Sequence, residues 1–551
     1  MGRRSRRLAV SRRRPVSPPG NLSAMHRHDL PTRRFGPPIS KPSSRRVILA
    51  CLVVAATLAV PGSLAQTASD GWEDVGPGVE YREYSLPGPV RAYVARMDRN
   101  NPDAIIDSSV ASGMLTDGKE TVSGMADRYD EAINAWGQTW GARNKVIVAI
   151  NGSFHDLESG LPENGMIQGG WYVKRFEDLW GGSGFDWKYD RRAFVGGCIE
   201  HEPERQVVTF LRSGEQVGIS GLNVPREGDS LIVYTPQYAP TTGTEDKGIE
   251  VLVEMSQPVS VVPLPHMVLG TIVQIREGKG STPIPFDSIV LSARGDPKDA
   301  LEENARVGDQ IGISQEITHY DEDCRSRIEG DWTLSYASIE ASWDFLKDDA
   351  IYRFNDVGAT TRQPRTAICF NDDYVYFVVV DGRRAGVSIG MTIQQLADFC
   401  RGTLETTWGV NQDGGGSSTM VVNGEVKNRP SDGQERPVAN GMLMIALEPK
   451  TLSERLFPGD VVLTLQPAEV RLGPGSDYAV VAQIPESEDV SIADDMAGVN
   501  GVLAKGSYWW KVTYGETIGW VQDEALGEPV SRGKSFESYM KRLEDLLSAR
   551  R

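Results

Sequence analysis

WGVNQDGGGSSTMVVNGEV, Trp408 to Val426, holds a short apolar run, a carboxylate followed by three glycines, three hydroxyl residues and a second apolar run. Short apolar runs bounded by Gly and Asn read as strands joined by turns. The stretch therefore predicts strand, glycine loop and hairpin. Just upstream, DDYVYFVVVDGR, Asp372 to Arg383, predicts a buried strand that stops at a turn. Between the two, MTIQQLADFCRGTL carries apolar residues at helical spacing, with Thr392 placed as N-cap. If the two strands are neighbours, Asp381 and Asp413 meet at one sheet end, where loops are free to vary.

The same patterns recur outward. VRAYVARM, KVIVAI and GMLMIALEP read as strands, and short apolar runs alternate with turns from 190 to 316. Tyr129 to Trp140 reads as a helix. At 551 residues the chain exceeds one compact core. The expected fold class is α+β: a mixed β-sheet core with flanking helices, plus a small C-terminal barrel from AEVRLGPGSDYAVVAQIP and YWWKVTYGETIGWVQ. The expected divisions are an export leader over 1–65, an entry segment over 66–139, a catalytic domain over 140–450, the barrel over 459–527 and a helical tail over 528–551.

The leader carries twelve Arg and one Lys against a single acid, Asp29. VILACLVVAATLAV follows, then Pro61-Gly62-Ser63-Leu64-Ala65. A basic region, a short apolar core and small residues predict an export signal cut after Ala65. The core is short for a membrane span. Ser44-Arg45-Arg46-Val47-Ile48-Leu49 also resembles a twin-arginine signal, with the general secretory route an equal alternative. The expected location is the periplasm, cell surface or exterior. The chain is −17 overall and the leader +12, so the remainder is −29. Such an acidic body argues against nucleic acid or an anionic membrane as partner. Cys198, Cys324, Cys369 and Cys400 remain after the leader, with three possible pairings. Cys369 in TAICF and Cys400 in LADFC read as buried free thiols. No CxxC or HExxH pattern points to zinc, and neither metal nor cofactor is expected.

Consecutive glycines let backbone N–H groups converge on an anion. Ser417, Ser418 and Thr419 add hydroxyl donors beside Asp413. No Gly-Lys-Ser/Thr follows, so this is not a P-loop. Taken alone, the stretch reads more readily as a glycine hairpin turn capped by an acid than as an anion site.

The surrounding motifs decide between these. Asn151-Gly152-Ser153-Phe154-His155, Pro364-Arg365-Thr366-Ala367, Asp381-Gly382-Arg383, Asp413-Gly414-Gly415-Gly416-Ser417-Ser418-Thr419-Met420-Val421-Val422, Asn428-Arg429-Pro430-Ser431-Asp432-Gly433 and Glu435-Arg436-Pro437-Val438-Ala439-Asn440 occur in that order. Together they resemble the phosphodiester glycosidase family over about residues 140–446. Two places depart from the family pattern: Gln412, where an aliphatic residue is usual, and Ile339–Asp344, where a Gly-Gly-rich stretch is usual. The resemblance implies hydrolysis of a sugar-1-phosphodiester or a related envelope or exopolysaccharide glycan. A non-catalytic glycan-binding or envelope-assembly protein and a glycosyl-phosphate transferase are the alternatives.

Breaking a glycosyl–phosphate bond builds positive charge on the sugar ring, which a carboxylate stabilises or captures. Asp413 is the first candidate and Asp381 the second. The departing phosphodiester needs Arg and N–H donors. Arg365, Arg383 and Arg436 are the candidate anion ligands, with Thr366, the three glycines and their hydroxyl neighbours lining the site. His155 is a proton carrier or a hydrogen-bonded structural histidine. Asn151, Asn428 and Asn440 bind sugar hydroxyls or satisfy their own backbone. Val470-Arg471-Leu472-Gly473-Pro474-Gly475, Trp510-Lys511-Val512 and Gly519-Trp520-Val521 resemble a bacterial SH3-like domain, which implies a cell-wall peptide or glycan as partner. Trp510 and Trp520 either bind it or fill the barrel core.

Overall fold

The structure, a computed structural model, describes residues 71–541 apart from 117, 130–132, 137–139, 141–142, 177–178, 320–331, 449–452, 494–500 and 539. The export leader, its cleavage site, Cys51 and Cys324 lie outside the described residues, as does the side chain of Cys198.

Strand Tyr374–Val380 shows why the core forms where it does. Val375, Phe377 and Val379 pack into one apolar cluster, while Tyr376, Val378 and Val380 pack into another. A strand apolar on both faces needs a cover on each side. It lies inside a thirteen-stranded sheet. One face packs on a five-stranded sheet built around Arg143–Asn151 and Asn440–Glu448, through residues such as Ile150, Met442 and Ile445. The other face is covered by helix Ile393–Thr403, which buries Leu396, Ala397, Phe399 and Cys400. Thr392 caps that helix as expected: its hydroxyl accepts from Gln395 N, and the Gln395 side chain accepts from Thr392 N. Cys369 and Cys400 are buried free thiols, as their apolar surroundings predict.

The middle of the chain forms an eight-stranded sheet, and the C-terminal region a second eight-stranded sheet running from Val461 to Ser531. Strands dominate and helices are few. Among the described residues the strand pairing is antiparallel except between Gly221–Leu222 and Ser230–Tyr234. The expected β-sheet core with a flanking helix is present, but its strands pair almost wholly antiparallel where a mixed sheet was expected, and helices are few. The helix expected at Tyr129–Trp140 is also displaced. A helix spans Val122–Arg128, capped by Thr121, whose side chain accepts from Gly124 N. The described residues of 129–140 are not helical, and Tyr129 turns inward to donate to Asp107.

The C-terminal sheet is docked on the middle one. Trp509 and Trp520 join the core cluster of the middle sheet, and Trp520 packs edge-on against Phe286 at 5.6 Å. Trp510 fills the C-terminal sheet's own core. Both Trp510 and Trp520 are fully buried, so neither is open to a surface ligand. No helix among the described residues is long and apolar enough to cross a membrane.

Candidate active site

Tyr374–Val380 and Trp408–Asn411 are not neighbours. Both pair antiparallel with Arg365–Phe370, which lies between them, and so they run parallel to each other. Asp381 and Asp413 therefore do reach the same sheet end, two strand spacings or roughly 10 Å apart along the sheet. From that end the chain leaves the large sheet at Asn411, turns through the glycines and enters the five-stranded sheet at Met420–Val422. The glycine loop is the crossover between two packed sheets, which places it at their shared rim.

The backbone there has no room for side chains. Gly415 has φ +65°, and a Cβ on it would lie 2.9 Å from Arg383 Nη2. A Cβ on Gly416 would lie 2.0 Å from Arg436 Nη2 and 2.2 Å from Asp432 Oδ2. Gly414 sits against Pro364 O, 2.7 Å from where a Cβ would be. The glycines thus let two guanidinium groups lie against the main chain beside Asp413.

Asp413 is half-buried and accepts from Ser417 Oγ at 2.5 Å. Burial raises its pKa above the ordinary carboxylate value, opposed by Ser417, His155 and Arg436. Arg436 also reaches Ser417 Oγ at 3.5 Å, and Asp432 holds its guanidinium through Nε at 2.9 Å and Nη2 at 2.6 Å. Arg383 is exposed and hydrogen-bonds to Gln363; among the described residues no carboxylate pairs with it. His155 is 6% exposed, and neither ring nitrogen has a hydrogen-bond partner. Burial lowers its pKa below the usual value, which favours the neutral imidazole, while the Asp413 charge opposes this. Asp413, Lys119 and Arg436 all act on it electrostatically. Ser418 Oγ and Thr419 Oγ1 are likewise buried without a partner. Among the described residues no group of three or more His, Cys, Asp or Glu is placed to hold a metal ion.

Other expected site residues hold the rim together instead. Asp381 is buried and accepts from Tyr93 OH, Asn428 Nδ2 and Arg429 N. Burial raises its pKa. With its oxygens occupied, Asp381 is a brace for the Asn428–Arg429 turn. Asn428 braces the other side, donating to Ser418 O and accepting from Met420 N. Arg365 is 3% exposed and donates to the carbonyls of Met391, Gly358 and Thr361, so it ties loops and not an anion. Asn151 accepts from Thr366 Oγ1 and Thr419 N and donates to Asp413 O, which fixes the glycine crossover on both sheets. Asn440 binds Ser153. Asp432 was not among the expected site residues, although the Asn428–Gly433 motif contains it and it stands four positions before Arg436.

The chain matches the family model for phosphodiester glycosidases over residues 287–445. No curated protein matches it. Among solved structures it is similar to a hypothetical protein from Synechocystis, with 16% identity, a TM-score of 0.42, and coverage of 67% of this chain and 62% of that one. A Burkholderia pseudomallei protein described as a candidate exported protein gives 20% identity, a TM-score of 0.41 and coverage of 65% and 75%. The catalytic domain of zebrafish N-acetylglucosamine-1-phosphodiester α-N-acetylglucosaminidase, auto-inhibited by its pro-peptide, gives 13% identity, a TM-score of 0.34 and coverage of 68% and 85%. The alignment thus spans less than two thirds of the Synechocystis protein. Asp381, Arg383, Asp413 and Arg436 all fall inside residues 287–445, the segment that matches the phosphodiester glycosidase family model.

Proposed function

We propose that this protein hydrolyses a glycosyl–phosphate bond, taking a sugar-1-phosphodiester or a related envelope glycan as substrate. The observation that carries this reading is the grouping of Asp413, Ser417, Arg436, Arg383 and His155 around a side-chain-free main chain. In the reaction the C1–O bond breaks, the phosphomonoester departs with the electron pair, and water supplies hydroxide to C1. Asp413 provides the negative charge that the developing oxocarbenium ion needs. Arg383, free of a carboxylate, meets the departing phosphate, and Arg436 supports it from the Asp432 pair. Neutral His155 is suited to take the proton of the attacking water.

Export rests on the basic leader and its small-residue end. The SH3-like assignment of 459–527 rests on its short strands and the Gly473-Pro474-Gly475 turn, and a cell-wall partner would use surfaces other than Trp510 and Trp520.

The experiment is incubation of the purified protein with a panel of sugar-1-phosphodiesters, with products read by mass spectrometry. Free sugar plus phosphomonoester from at least one member is expected, with Arg383→Ala raising KM at least tenfold. Tight binding with no turnover on any member would favour the glycan-binding alternative.

A further inference from the structure

A cavity of about 160 Å³ lies beneath the C-terminal sheet, and none of Asp413, His155, Arg383 or Arg436 lines it. That volume is on the order of ten times the space one water needs, so it suits a small organic molecule. Its walls come from distant parts of the chain: Asp107, Asn134, Trp171, Gln237, Phe286 and Tyr478.

The lining has a mixed character. Trp140 and Trp171 pack at 6.1 Å, Phe286 lies 5.5 Å from Trp140, and Tyr478 lies 6.2 Å from Phe286, so ring surfaces form a continuous apolar wall. Oriented polar groups stand among them. Asp107 is fixed by Ser108 N and Gly169 N at 2.7 Å each and by Tyr129 OH. Gln237 is held by its main chain, which accepts from Leu115 N at 2.7 Å. Its side-chain Oε1 is buried without a partner, which is costly unless a ligand supplies a donor. The charges at the rim are already matched: Arg128 pairs with Glu120, and Asp477 with Lys505. Among the described residues lining it, an anion finds no unpaired cation.

We propose that this cavity is a second carbohydrate site that holds one neutral saccharide ring. A sugar offers hydroxyls that both donate and accept, and C–H faces that stack on aromatic rings, which matches a wall of rings studded with carboxyl and amide groups. The C-terminal sheet closes the site through Leu472, whose carbonyl accepts from Phe286 N at 2.9 Å, and through Tyr478. Docking of that sheet therefore completes a binding site, and this gives it a role independent of the reaction proposed at Asp413.

The test uses the full chain carrying Asp413→Asn, so that sugar held at the other site is not turned over. Glucose, galactose, mannose, N-acetylglucosamine and inorganic phosphate are titrated singly by calorimetry and saturation-transfer NMR. The expected result is saturable binding of at least one neutral sugar. That binding weakens at least tenfold in both Gln237→Leu and Tyr478→Ala, while the melting temperature stays close to the parent's. Gln237→Leu replaces an amide whose oxygen is unpartnered by an apolar group of similar shape, so it tests the site without emptying the core. The proposal is overturned if no neutral sugar binds saturably. It is also overturned if both variants bind unchanged, or if phosphate displaces the sugar. Failure of phosphodiester hydrolysis in the wild-type protein would leave this binding unaltered, so the two readings fall separately.

Discussion

Lys511 Nζ lies 2.7 Å from Asp287 Oδ2 and 3.3 Å from Glu254 Oε1, with all three residues buried. The lysine belongs to the C-terminal sheet and the two acids to the middle of the chain. Residues 459–527, read from sequence as a separable module, are thus joined to the rest by buried charge and by Trp520. Lys511→Met leaves two buried carboxylates without their cation and is expected to destabilise the protein by about 3–5 kcal/mol. Chemical denaturation measures this. A change below about 1 kcal/mol would mean that the sheet is tethered and not docked.

Ser417 holds the protonation state of Asp413. Burial lifts the Asp413 pKa and the Ser417 hydrogen bond pulls it down. Removing that bond leaves burial less opposed, so the folded pKa rises further. In Ser417→Ala the acid limb of kcat/KM against pH therefore moves to higher pH, because ionised Asp413 is the working form. An acid limb unmoved by this change, with activity retained, would separate the limb from Asp413.

Gln412 immediately precedes Asp413. Its side chain is fully buried, and both amide atoms lack a partner. Gln412→Leu is expected to stabilise the fold by about 1–2 kcal/mol with little change in kcat. Loss of stability on thermal denaturation would show that the amide has a partner that this account misses.

Asp107 sets a pH dependence of stability. Burial raises its pKa from an ordinary 3.8 to about 7. The folded state therefore holds a proton that the unfolded state releases between about pH 4 and 7. Stability from this group is fully present below pH 4, declines as pH rises through that window and is flat above it. The total is on the order of a few kcal/mol. Asp107→Asn removes the slope, so its stability relative to wild type improves from pH 5 to pH 8. Equal differences at both pH values, by urea denaturation, would contradict the assignment.

Local pattern carried much of the fold. Tyr374–Val380 was legible because both its faces are apolar, Thr392 because Gln395 stands three residues on, and the glycine crossover because Asp413 and the three glycines separate two short apolar runs. Long-range partners were not legible. Asp381 reads as a free carboxylate until Tyr93, 288 residues away, and the Asn428 turn are seen to occupy it. Arg365 reads as an anion ligand until the carbonyls of Gly358, Thr361 and Met391 are seen to accept from it. Tyr129–Trp140 has helical spacing, yet Tyr129 bonds Asp107 in the core and the helix ends before it. Trp509 and Trp520 have the same alternating pattern whether they face their own sheet or a neighbouring one.

The central claim is that Asp413 supplies the charge on which catalysis depends. Asp413→Asn keeps the shape of the side chain and removes that charge. Turnover of a sugar-1-phosphodiester that the wild-type protein cleaves should fall by about two to four orders of magnitude, with KM changed by no more than a few fold. Full activity in Asp413→Asn would contradict the account and reduce the glycine crossover to a structural turn.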